Sequence, residues 1–331
     1  MLSRHFLRAK VLQSLYATEF GEIRDVITTE KNFNHNINRL NDLGILQVST
    51  LTNFRRMAEV MIDEGQQKFR PSEEEKNPSF RLVNNEFLRR MSDNYELRQQ
   101  IDKRNISWAN DEDLFRKAVT NFRKTQEYID YIAGDPEKGA SAEGRDMVEE
   151  DKQLMLKLFK FLMNDELLLN AYIDKSLLWE DDFYQVAQYI YMYLKTLDIN
   201  QMDEAMPWAL VYDERNEAER EGRDFALNLL LHTLRHRDEN DDLIRKYLKG
   251  WEFERVALMD ILMINMAITE LTECPSIPER VTIDEYIELS KEFSSDKSKL
   301  FVNGILDKLI LELRSAGRIH KTGRGILAPE N

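Results

Sequence analysis

The chain has 331 residues, 42% of them hydrophobic and 32% charged, with a formal net charge of −14, so it can bury a core and is not a disordered polyelectrolyte. Only 12 glycines and 7 prolines occur, which argues against an all-β chain or a glycine-looped dinucleotide fold, and the acidic balance disfavours non-specific binding of nucleic acid. One cysteine, Cys274, excludes an internal disulfide and a cysteine-built zinc site and suits a reducing cytoplasm.

The first helix is expected over 3–20. Leu7, Val11 and Leu15 share one face, and Leu12, Tyr16 and Phe20 widen it, so this helix should lie centrally in the core. Its opening turns crowd Arg4, His5, Arg8 and Lys10 together. Cations there oppose the helix dipole at a cost of about 0.3–1 kcal/mol each. An anionic ligand would offset that cost; a solvated basic end is the plainer explanation. Arg8 and Lys10 also interrupt any signal-peptide core. A transit peptide is the rival reading, since no acid precedes Glu19, but the apolar face reads as folded helix.

Asn32, Asn34, Asn36, Asn38 and Asn41 follow in a polar stretch that reads as loops and short helices. Residues 44–50 are the one tempting strand, without an obvious mate. Helices are expected over 52–69, 80–92, 95–106 and 111–132, and Gly134 through Gly144 is the clearest loop. Helices resume over 145–163, 165–177, 181–196, 214–236, 239–249, 252–271, 283–293 and 297–315. No apolar run approaches the roughly 18 residues of a membrane span.

Trp108, Trp179 and Trp251 recur at nearly equal spacing, each after one helix and before another. A repeated helical hairpin plugged by tryptophan would explain this, and chance likeness among helices of similar composition explains it equally well.

Thr282-x-x-Glu285 reads as a capping box after Pro275 and Pro278. On the last helix Val302, Ile305, Leu306, Leu309, Ile310 and Leu313 form a core stripe. Phe301 falls off that stripe, with Gly304, Lys308 and Lys297 beside it. An aromatic ring, two lysines and a gap without a side chain suit stacking on a base with phosphate pairing; packing of Phe301 on a neighbouring helix is the ordinary alternative. The tail from Gly317 reads as flexible.

No phosphate-binding glycine loop, zinc-protease motif or nucleophile elbow occurs, and nothing points to catalysis or a cofactor. His232 and His236 could share a metal across one helical turn, but the sequence suggests no third ligand beyond the many acids, and a solvated or capping role is the simpler reading.

Three segments together resemble the NusB family of transcription antitermination factors. They are Arg4-His5-x-x-Arg8 with Gln13-x-Leu15-Tyr16, then Asp242 through Asp260, then Ile283 through Lys308 with Ser294-x-x-Lys297-Ser298-x-x-Phe301-Val-Asn-Gly-Ile-Leu-Asp-Lys308. The resemblance implies an all-α helical bundle with no catalytic activity. It implies binding to boxA-type single-stranded RNA of the ribosomal leader, with the ribosomal protein NusE, on elongating RNA polymerase. Carried over by position, RNA contacts fall on Arg4, His5, Arg8, Lys10, Tyr16, Phe293, Lys297 and Phe301.

Here Arg4 is followed by His5 and Phe6 where the family has consecutive arginines, and Asn265 stands where it carries arginine. Both departures weaken the family's electrostatics at these points. The organisation expected is a basic helix over 1–20, a helical insertion over 21–210, a NusB-like domain over 211–315 and a flexible basic tail over 316–331. Two other readings remain: an interaction scaffold without RNA binding, and an RNA-modifying enzyme. The latter would need glycine-rich cofactor turns and more cysteines than Cys274 alone.

Overall fold

The computed structural model describes residues 3–21, 25–138, 141, 146–202, 217–248, 253–295 and 297–326. Among them every regular element is helical and no strand occurs. In chain order the α-helices are α1 (Arg4–Phe20), α2 (Val26–Gln66), α3 (Glu73–Lys76), α4 (Glu86–Asp93), α5 (Tyr95–Lys103), α6 (Glu112–Phe122), α7 (Gln126–Ala133) and α8 (Met147–Met163). They continue as α9 (Glu166–Lys175), α10 (Phe183–Thr196), α11 (Glu217–Arg235), α12 (Arg237–Arg245), α13 (Leu258–Glu273), α14 (Glu279–Phe293) and α15 (Ser298–Ser315). No helix of the described residues is long and apolar enough to cross a membrane.

The chain divides into two units, one of Met1–Ile37 with Glu214–Asn331 and one of Asn38–Asp213. In the first, α13 is the axis. Ile261, Leu262, Met263, Ile264, Met266, Ala267, Ile268 and Leu271 are apolar around the whole circumference, and every residue from Asp260 to Leu271 is buried. Helices α1, α11, α12, α14 and α15 pack on it. Gly222 lets α1 lie close to α11, since a Cβ there would come within 3.2 Å of Leu7 Cδ1. The α15 stripe is buried as its periodicity requires.

In the second unit Trp108 and Trp179 are both buried, and both indoles donate to α2: Trp108 Nε1 to Ser49 Oγ at 3.0 Å, Trp179 Nε1 to the Arg39 carbonyl at 3.2 Å. Each stands between two helices, α5 and α6 or α9 and α10. The third tryptophan of the spacing, Trp251, lies outside the described residues.

Several local expectations give way. The asparagine-rich stretch and the 44–50 segment both lie inside α2. Phe33, Ile37, Leu40, Leu43, Gln47, Leu51, Phe54 and Ala58 keep a three-to-four spacing and are all buried, so packing overrides weak local propensity. Helix α14 begins at Glu279 after the N-cap Pro278, which leaves Thr282 inside the helix rather than capping it. The tail is anchored over 317–322. Gly317, at φ 63°, closes α15 in a Schellman turn with the Arg318 amide on the Leu313 carbonyl, 2.9 Å. Lys321 Nζ then caps α13, donating to the Cys274 and Glu270 carbonyls at 3.1 and 3.3 Å.

Candidate nucleic-acid interface

Helix α1 starts where Ser3 Oγ accepts the Phe6 amide at 3.1 Å. The basic residues that follow do not form one solvated cluster. Arg8 is only 1% exposed, with Nε and Nη2 each 2.7 Å from a Glu270 oxygen. Glu270, also buried, accepts from Thr282 Oγ1 at 2.9 Å and from the Tyr286 hydroxyl at 3.1 Å, so each carboxylate oxygen carries two donors. Burial opposes the charge on Arg8, but the Glu270 hydrogen bonds and charge outweigh it and hold its pKa above the usual arginine value. The Tyr286 hydroxyl is pushed well up, first by burial and then by Glu270.

Glu285 joins this system to the surface. Its Oε2 lies 3.1 Å from Arg8 Nη1 and 2.9 Å from His5 Nδ1. His5 Nε2 lies 3.1 Å from Glu292 Oε1. Arg4 and Arg8 both stand over the Phe225 ring, at 5.3 and 5.2 Å. Acids of α13 and α14 therefore supply the negative charge that the start of α1 needs against its dipole. Lys10 is buried too, its Nζ donating to Gln13 Oε1 at 2.7 Å and lying 5.4 Å from the Phe6 ring centre.

The expected RNA contacts thus separate. Arg8 and Lys10 are placed inside the fold, which corrects their reading as surface cations. Arg4 is exposed and His5 half-buried. The His5–Glu292 contact sets the first turn of α1 beside the end of α14, next in sequence to Phe293. Lys297 is the exposed N-cap of α15, and Phe301 follows one turn later. Both phenylalanines are half-buried, and Gly304 has no neighbour that a Cβ would touch. Tyr16 is not part of this grouping. It sits about 18 Å further along α1, 39% exposed and paired with Phe20 at 4.8 Å between ring centres.

Sequence reasoning missed Glu270, Glu285, Phe225 and Tyr286. The available signal was Glu270 itself, an acid following the apolar run Ile261–Ile268 with only Asn265 and Thr269 as polar company, which when buried demands a cation.

The described chain is thus an all-helical protein whose N-terminal helix is ion-paired into a C-terminal bundle. Residues 184–311 match the model of the NusB family, and the chain belongs to that family. Transcription antitermination protein NusB of Salinibacter ruber is 42% identical over 105 residues, covering 32% of this chain and 66% of that protein. Transcription antitermination protein NusB of Chloroherpeton thalassium is 36% identical over 110 residues, covering 33% of this chain and 52% of that protein. The chain therefore spans just under two thirds and about half of the length of these relatives. A solved T. maritima NusB is 30% identical, covering 37% of this chain and 81% of that one, with a TM-score of 0.28. The family match begins inside α10 and so takes in the end of the 21–210 stretch expected as an insertion.

Proposed function

We propose that this protein is a non-enzymatic, RNA-binding transcription antitermination factor. It holds boxA-type single-stranded RNA of the ribosomal leader together with NusE and acts on elongating RNA polymerase. The observation that carries this reading is the family match over 184–311, with relatives that bear the antitermination name. It gains support from the exposed Arg4 and Lys297 and the half-exposed Phe293 and Phe301, and from the His5–Glu292 contact that sets the start of α1 beside the end of α14. The acidic body repels bulk RNA, while this small region admits one short strand. Glu285 and Glu292 both reach His5 here, so affinity depends on stacking and on the surface that NusE adds.

A gel shift with a boxA-like RNA, with and without NusE, tests this. The combined variant R4Q/K297Q/F301A is expected to lose at least about tenfold in affinity, the loss of one modest stack and two phosphate contacts. Unchanged affinity with NusE present would favour the scaffold reading. That reading has its own support: residues 38–183 lie outside the family match, within a unit that has its own buried core.

A further inference from the structure

We propose that His232, His236 and Glu273 form a binding site for a divalent first-row transition ion of the zinc class. The reading is independent of RNA binding. His232 lies in the last turn of α11, His236 directly after it as the N-cap of α12, and Glu273 is the last residue of α13. The two imidazoles are one helical turn apart and stack at 9°, with ring centres separated by 6.1 Å. One ligand atom from each of the three residues lies within 4.8 Å of the others. The third ligand that the sequence did not suggest therefore arrives from a different helix.

His232 Nδ1 carries the inference furthest. It is shielded from solvent and has no hydrogen-bond partner. The nearest carboxylate oxygen, Glu273 Oε2, stands 3.8 Å away. That gap is too long for a hydrogen bond. It is close to the roughly 3.4 Å that separates two ligands of a tetrahedral ion with bonds near 2.1 Å. An ion fits between these atoms where a proton does not reach. Glu239 Oε2 lies 3.5 Å from His236 Nδ1, while its other oxygen is held by Arg318 Nη1 at 3.1 Å. Glu239 is thus fixed to orient His236 or to add a fourth donor.

Two imidazoles and a carboxylate without a thiolate select zinc, nickel or copper(II), and they exclude the all-oxygen preference of magnesium and calcium. Bound there, the ion pins the α11–α12 junction to the end of the central helix.

The test uses the full chain without an affinity tag, stripped with a chelator and titrated with ZnCl2 by calorimetry, with thermal melting in parallel. One equivalent should bind, and the melting temperature should rise with zinc concentration. H232Q/H236Q and E273Q should each weaken binding by at least about tenfold. H320Q removes a histidine outside the cluster and should bind as the parent does, and MgCl2 should give no heat. All three ligands are partly exposed, so circular dichroism without metal should be the same for every variant. Absence of zinc binding to the parent chain, or equal binding by H232Q/H236Q, overturns the proposal.

Discussion

Arg8 and Glu270 meet through two parallel hydrogen bonds of 2.7 Å, 262 residues apart in sequence and almost wholly shielded from water. This fork makes α1 part of the bundle built by α11–α15. It also takes the second arginine of the N-terminal motif out of reach of a ligand.

Replacing Arg8 should therefore be read in stability. R8M leaves a buried carboxylate that retains only the Thr282 and Tyr286 hydroxyls, and it should cost about 3–5 kcal/mol in urea denaturation. R8K should recover little of this, because an ammonium cannot reproduce the planar two-point contact. Where R8K remains folded, its RNA affinity should match that of the parent chain. A tenfold loss of RNA affinity with normal stability would place Arg8 at the RNA instead.

Gly304 stands in the middle of α15 with open space where its Cβ would be. Nothing in the protein requires a glycine there, so G304A should stabilise the helix by about 0.5–1 kcal/mol. If the gap beside Phe301 receives a base, the same variant should bind RNA more weakly. A melting curve and a gel shift on one preparation would show the two effects moving in opposite directions.

Binding to a short single strand should depend only weakly on salt. With Arg4, Lys297 and one further cation on phosphates, the log–log slope should be about −2. A slope that corresponds to eight or more contacts would require a basic surface that the acids beside His5 do not leave.

The Cys274 thiol is pushed up to about 12, first by burial and then by the charge of Glu270. At pH 8 roughly one molecule in ten thousand carries the thiolate, so a disulfide reagent should label the native chain at least about a hundredfold more slowly than the urea-unfolded chain. The fold holds this proton more tightly than the unfolded chain does. The stability associated with it is complete below about pH 9 and is lost as the pH climbs towards about 12. Tyr286 titrates in the same direction, so C274S should reduce the alkaline loss without abolishing it.

What the sequence discloses follows from how local each signal is. Helix α15 could be read residue by residue, because its stripe from Val302 to Leu313 is a pattern within one element. The apolar face of α1 was visible for the same reason, although Phe20 at its far end is 68% exposed. Helix α2 was obscured because its asparagines and Gly44 speak for turns, while the burial that overrules them comes from the fold around it. The basic N-terminus was seen as charge but not as location. Whether Arg8 faces water or Glu270 is decided by a residue at the other end of the chain.

Lys321 and the Schellman turn at Gly317 give the C-terminal extremity a mechanical role. The lysine ammonium rests on the carbonyl of Cys274, and the Thr322 amide donates to the Pro275 carbonyl at 2.9 Å. The tail is a latch over the end of the central helix, and the chain's single thiol lies at the keyhole. Clipping the chain after Gly317 would loosen α13 just beyond the Glu270 anchor, and a colorimetric thiol assay would register the opening.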